Sequence, residues 1–115
     1  MQLSVIIVNY NVKNLLRDCL FSVQKAAHSI DTEIIVVDNA SSDGSVEMLK
    51  AEFKELKIIA NNQNYGFSKA NNQGILEAQG QYILLLNPDT LVYENTFKNC
   101  LKFSTQTNNC GGIGV

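Results

Sequence analysis

Glycine is missing where a phosphate loop would need it. The turn after the first apolar run reads Asn9-Tyr10-Asn11-Val12-Lys13, and a pyrophosphate held against a helix amino terminus needs glycines there for close backbone approach. A dinucleotide-binding turn is thereby excluded, and no Walker lysine loop occurs in the chain. Cysteine is scarce: Cys19, Cys100 and Cys110 are an odd number at wide spacing, with no Cys-x-x-Cys pair and a single histidine, His28. That pattern argues for reduced thiols and a surface histidine rather than a metal site. Basic clusters are lacking too. Nine Lys and Arg residues spread along the chain, against eleven Asp and Glu, give a net charge of −2 and leave no electrostatic footprint for nucleic acid. The apolar runs fall far short of the roughly 18 residues a membrane helix needs. Met1-Gln2-Leu3 leads straight into a strand without a charged leader, so a cytoplasmic location is expected.

Proline occurs once, as Pro88, after the continuous apolar stretch Tyr82-Ile83-Leu84-Leu85-Leu86. Such a run reads as a strand buried on both faces in the middle of a parallel sheet. Pro88 cannot continue a central strand, so Asn87 and Asp89 should emerge at its carboxyl end, where open α/β sheets bind ligands. With 115 residues, 45 % apolar and 17 % charged, the chain has the size and composition of one soluble domain with a real core.

Strand and helix patterns alternate along the chain. Leu3–Val8 is a β-branched strand, and Leu16, Cys19, Leu20, Val23 and Ala27 recur at helical spacing between about Lys13 and Ala27. Glu33–Asp38 is a second buried strand closed by a carboxylate. The cluster Asn39-Ala40-Ser41-Ser42-Asp43-Gly44 supplies turn and capping residues for a helix with Val46, Leu49 and Phe53 as its buried stripe. Leu56–Ala60 is a shorter strand. After the polar loop Asn61–Gly66, a third helix starts near Phe67 with the narrow face Phe67, Ala70, Gly74 and Ala78, leaving Lys69, Asn71, Asn72 and Gln73 elsewhere. Tyr82–Leu86 is strand four. A last helix carries Phe97, Cys100 and Leu101 on one side, and Gly111–Val115 resembles a strand just starting, so the chain is expected to be the front portion of a longer protein.

Buried strands alternating with helices imply a three-layer α/β/α arrangement around a mainly parallel sheet. The ligand is the open question. Asp38 closes strand two where a dinucleotide fold puts its ribose-binding acid, but the glycine-free first turn rules that fold out. A receiver-type signalling domain would need its acids clustered after strand one, which ends in Val8-Asn9-Tyr10. Fourteen asparagines, gathered mostly at strand ends and loops, suggest a polar ligand. What remains is a site made from an aromatic after strand one, a carboxylate after strand two and an Asn-Pro-Asp turn after strand four. Tyr10 can stack a base, Asp38 can accept from the N–H of a uracil or thymine ring, and Asp89 can coordinate a hard divalent cation shared with phosphate.

Four segments in order carry a resemblance: Ser4-Val5-Ile6-Ile7-Val8-Asn9-Tyr10-Asn11; Ile34 through Asp38-Asn39-Ala40-Ser41-Ser42-Asp43-Gly44; Asn64-Tyr65-Gly66-Phe67-Ser68-Lys69-Ala70-Asn71-Asn72; and Leu85-Leu86-Asn87-Pro88-Asp89-Thr90. Together the chain resembles family 2 glycosyltransferases of the Rossmann-like GT-A fold, in particular their rhamnosyltransferase-like branch. The resemblance covers residues 1–115 as the N-terminal nucleotide-sugar-binding portion, truncated at the C-terminus so that the acceptor-binding portion is absent. It implies that Val8 and Tyr10 contact the donor base and Asp38 reads its N–H. Asn87-Pro88-Asp89 falls on the family's Asp-x-Asp motif, which makes Asp89 the ligand of a divalent cation (Mg²⁺ or Mn²⁺). Asn87 departs from the motif and contributes an amide without charge. Lys69 and Asn71 lie in the segment that lines the donor pocket.

The activity implied is inverting transfer of a sugar from a UDP- or dTDP-sugar to a saccharide or lipid-linked acceptor, in cell-surface polysaccharide synthesis. The full-length protein is expected to associate peripherally with membrane, and an exposed sheet edge would allow a homodimer. The family's general base lies beyond the Asp-x-Asp segment, and between Thr90 and Val115 the one carboxylate is Glu94, expected in the first turn of a surface helix. No catalytic residue is therefore assigned, and the chain is expected to bind donor and metal without transferring unaided. The alternatives are a nucleotidyltransferase, which should show a Gly-rich basic loop after strand one, and a non-catalytic nucleotide-sugar-binding or scaffold module.

Overall fold

A computed structural model describes residues 2–94, 96–97 and 112–114. The elements are β1 (Leu3–Asn9), α1 (Lys13–Ala26), β2 (Thr32–Asp38), α2 (Ser45–Glu52), β3 (Lys57–Ala60), α3 (Phe67–Glu77), β4 (Tyr82–Leu86) and β5 (Gly112–Gly114). The five strands pair in the order β3-β2-β1-β4-β5, all parallel. Gly112–Gly114 is thus the strand that the terminal run suggests. Cys100, Cys110, Leu101 and the rest of the expected last helix lie outside the described residues, although Thr96 and Phe97 are helical and Phe97 is buried.

The alternation of apolar side chains along each strand divides the core in two. Leu3, Val5 and Ile7 of β1, Val36 of β2, and Leu84 and Leu86 of β4 pack with Leu16, Cys19, Leu20 and Val23 of α1, with Met48 and Leu49 of α2, and with Phe53. On the opposite face Ile6, Val8, Ile35 and Val37 meet Ala70 of α3. That second layer is thin because α3 lies close to the sheet. A Cβ placed on Gly74 would come within 2.6 Å of Ile6 Cγ2, so only glycine permits this approach.

Two helix faces differ from the sequence expectation. In α2 the buried residues are Ser45, Met48 and Leu49, with Phe53 just past the helix end, and Val46 is half-buried. In α3 they are Ala70, Asn71 and Gly74, while Phe67 is 56 % exposed. Phe67 opens the helix at the rim of the sheet, where Gly66 O accepts from Asn39 Nδ2, one residue past the end of β2, so little strand surface remains to cover it.

The amino-terminal end of the sheet is fastened by a buried acid. Glu33 Oε2 accepts from Ser4 Oγ at 2.6 Å and from the Gln79 backbone N–H, and Glu33 Oε1 pairs with Lys57 Nζ at 2.9 Å. Ser4 Oγ also accepts the Gly80 N–H at 2.8 Å. Burial pushes the Glu33 carboxyl up, but the bonds from Ser4, Gln79 and Lys57 outweigh it and hold the group below its usual value of 4.5. The opposite end, where β1, β2 and β4 deliver their carboxyl termini, is where the candidate site residues collect.

Candidate functional site

The strand order turns at β1, which has β2 on one side and β4 on the other, so the loops after β1 and β4 diverge and leave a crevice at their carboxyl ends. Pairing of β1 with β4 ends at Ile7 and Leu86. Tyr10 and Asp89 therefore each stand three residues beyond the last β1–β4 pair, and both are exposed.

The β1 loop is knitted to the β2 loop. Asn9, fully buried, donates from Nδ2 to Asp38 Oδ1 at 2.8 Å and to Ser41 Oγ at 3.3 Å. Ser41 Oγ donates to Asp38 Oδ1 at 2.7 Å, the Ser41 N–H reaches Asp38 Oδ2 at 2.9 Å, and the Asn11 N–H reaches Ser41 Oγ at 2.9 Å. Asn11 Oδ1 then accepts the Ser42 N–H at 2.7 Å. Asn11 and Ala40 hold positive φ of 53° and 64°, strained for residues with a Cβ and sustained by these bonds.

Asp43 completes the joint. Its Oδ2 accepts the Lys13 N–H at 2.9 Å, and its Oδ1 accepts the N–H and the hydroxyl of Ser45. It caps the first residues of α1 and α2 together, although the residue before each helix, Val12 or Gly44, makes no side-chain cap. Desolvation raises the Asp43 carboxyl, and the bonds from Ser45 and Lys13 more than offset it, leaving the group below its usual value. Beside this joint lies a cleft of about 360 Å³ lined by Asn11, Val12, Lys13, Asn14, Leu15 and Asp43.

Asp38, the residue expected to read the base N–H, closes β2 at this same end of the sheet. It is 1 % exposed, and both of its oxygens accept bonds from Asn9 or Ser41. Val8 is also buried, its side chain packed in the α3-side core. Tyr10, by contrast, is 50 % exposed.

Most of the strand-end amides serve the protein rather than a ligand. Asn61 Nδ2 donates to Asn39 Oδ1 and to Gln73 Oε1, Gln73 Nε2 donates back to Asn61 Oδ1, and Asn64 Oδ1 accepts the Gly66 N–H. Tyr65 OH donates to Asn62 Oδ1, and Lys69 Nζ stands 4.4 Å from the centre of the Tyr65 ring, a cation–π contact that fixes an otherwise exposed side chain. Asn71, 6 % exposed, and Asn87, exposed, have no side-chain hydrogen bond among the described residues.

The turn after β4 closes through the Thr90 N–H on Asn87 O at 3.1 Å. Beneath it lies Cys19 of α1, whose thiol is pushed up to about 12, chiefly by burial and further by the Asp89 charge, with the Thr90 amide acting in the opposite sense. Asp89 forms no ion pair among the described residues, which also contain no group of three His, Cys, Asp or Glu side chains able to hold a metal. The donor set is thus one exposed carboxylate flanked by an amide. Such oxygen ligands fit a hard cation that takes its remaining ligands from phosphate and water, and they do not fit a closed protein cage.

Of the expected site residues Tyr10, Lys69, Asn87 and Asp89 are exposed and Val8, Asp38 and Asn71 are buried; the joint between the β1 and β2 loops was legible only as capping residues for α2. Ser41, Asn9 and the double cap at Asp43 link residues about thirty apart. The density of turn residues at Asn39–Gly44 marked the segment, yet nothing in a single sequence says which amide each oxygen takes. Glu94 is exposed in a turn, just ahead of the helical Thr96 and Phe97.

Residues 4–114 match the family described as Glycosyl transferase family 2. The chain is 33 % identical over 110 residues to the minor teichoic acid biosynthesis protein GgaB of Bacillus subtilis (strain 168), covering 92 % of this chain and 12 % of that protein. It therefore spans about an eighth of that relative's length. Among solved structures, S. aureus TarS in complex with UDP-GlcNAc superposes with a TM-score of 0.83 at 25 % identity, over 92 % of this chain and 32 % of that one. The mannosyltransferase PcManGT from Pyrobaculum calidifontis, in complex with GDP-Man and Mn²⁺, gives 0.78 at 25 % identity, over 88 % and 31 %.

Proposed function

The chain belongs to glycosyl transferase family 2, and on that premise we propose that it forms the donor-binding part of an inverting transferase that takes a sugar from a nucleoside diphosphate. The observation that carries this reading is the pair of exposed groups beyond the paired ends of neighbouring strands, Tyr10 after β1 and Asp89 after β4. An aromatic face for a base and a carboxylate for a cation on the diphosphate are the two contacts such a donor needs. Asn87 and Asn71 offer amides without side-chain partners among the described residues, and Lys69 offers a cation at the rim. Val8, with its side chain in the core, contributes through its backbone. Asp38 is assigned to the base N–H while it also holds Asn9 and Ser41, and through Ser41 the amide of Asn11; its Oδ2 accepts one protein bond, from the Ser41 N–H, and has capacity for another.

When bound, Mg²⁺ or Mn²⁺ would neutralise charge on the departing diphosphate, and Asp89 is the residue to hold it. The part of the chain described here binds and orients the donor. Activation of the acceptor hydroxyl requires a general base that we do not assign to this chain, so it is proposed to transfer nothing unaided. For the whole protein the proposal is synthesis of a cell-surface polysaccharide on a saccharide or lipid-linked acceptor, with peripheral membrane association. Among the described residues no helix is long and apolar enough to cross a membrane.

Calorimetric titration with UDP and dTDP, with and without Mn²⁺, tests this reading. Metal-dependent nucleotide binding that disappears in Asp89→Ala is the expected result, and no binding of either nucleotide would overturn it. UDP-GlcNAc, GDP-Man and dTDP-rhamnose then rank the sugars, the last probing the rhamnosyltransferase-like reading of the sequence. A second reading, a non-catalytic nucleotide-sugar-binding module, draws on Asn87, which supplies an amide where the family motif has an acid. Turnover by the longer protein would exclude it.

A further inference from the structure

The segment that carries Asp89 is gripped by one face of α1. Cys19 and Ser22 stand three positions apart on that helix and so share a face. Cys19 Sγ lies 3.8 Å from Asn87 O, and Ser22 Oγ accepts the Val92 N–H at 3.0 Å while donating to Cys19 O at 2.7 Å. The two contacts bracket Asn87–Val92 at its ends, across 68 and 70 residues of chain. Cys19 is fully buried, and Val92 is anchored in the same core with Phe97.

We propose that Cys19 and Ser22 are positioning residues for the cation site: they fix the backbone from Asn87 to Val92 and thereby aim the Asp89 carboxylate. The proposal rests on the donor-site reading above. A site with one protein carboxylate has no second acid to compensate if that group swings away, so affinity for the cation depends on how firmly its backbone is held. Neither side chain needs to touch the donor. Stacking on Tyr10 belongs to the β1 loop and is independent of this grip.

The test is titration of Mn²⁺ into the UDP-saturated protein, compared with UDP binding in the absence of metal. Ser22→Ala and Cys19→Ala are expected to weaken Mn²⁺ binding by roughly 10- to 100-fold and to leave metal-free UDP affinity within about twofold. Ser22→Thr, which keeps the hydroxyl, should restore Mn²⁺ affinity and shows that the loss is not general unfolding. Cys19→Ser keeps a donor at the same position if Cys19→Ala does not fold. Unchanged Mn²⁺ affinity in Ser22→Ala and Cys19→Ala, with Asp89→Ala abolishing it, would overturn the positioning role alone. Unchanged affinity in Asp89→Ala would overturn the donor-site reading itself.

Discussion

Asp43 accepts the backbone N–H of Lys13 at 2.9 Å across thirty residues of chain. Through its other oxygen it accepts Ser45, so one carboxylate terminates two helices and fixes the loop that presents Tyr10. Asp43→Ala should cost about 1–2 kcal/mol, the range for loss of a helix cap, and Asp43→Asn less, since the amide oxygen still accepts one bond. Chemical denaturation of the three proteins measures the difference.

Tyr10→Ala should weaken UDP binding by roughly 5- to 150-fold, corresponding to about 1–3 kcal/mol for a stacked base, without reducing stability, because half of the ring is already in water. Tyr10→Phe should retain most of the affinity. Calorimetry without metal reads this contribution separately from that of Asp89.

Acid sensitivity should centre on Glu33. Its folded pKa lies below the usual 4.5, so its stabilisation is complete above that value and is lost as pH falls through the folded pKa. Glu33→Gln is expected to cost about 1–3 kcal/mol at neutral pH and to flatten the decline of stability below about pH 5. Thermal melts of both proteins across pH 3–7 provide the check.

Gly74→Ala should destabilise by about 1–3 kcal/mol, because the new Cβ falls 2.6 Å from Cγ2 of Ile6, a fully buried residue that is stiff at χ1. The corresponding change at the exposed neighbour Asn72, Asn72→Ala, should have almost no effect. Urea midpoints separate the two.

β1, β2 and β4 were legible in the sequence because each is an almost uninterrupted apolar run of the kind buried in the middle of a parallel sheet, whereas β3, at the edge, is short and half-buried. Parallel order followed from the helices between them. Single helical turns were less legible: Val46 and Met48 differ little in apolarity, yet Met48 joins the core and Val46 stays half-buried. Phe67 misled because its apolarity says core while its place at the helix start says rim. At the site, exposure of Asp89 followed from Pro88. Asp38 was legible as the carboxylate that closes β2, but its bonds to Asn9 and Ser41 were not, because a carboxylate at a strand end has the same sequence appearance whatever donors fold against it.

The clasp at the far end of the sheet bears on how its strands are coupled. Glu33 lies on β2, Ser4 on β1, Lys57 on β3, and Gln79 in the connection leading to β4. Ser4, Lys57 and Gln79 each supply one of the contacts that compensate the buried carboxylate, so removing any one of them leaves its charge less well satisfied. One side chain thereby couples three neighbouring strands and the entry to a fourth, so a change at Glu33 is felt across the sheet and not at β2 alone.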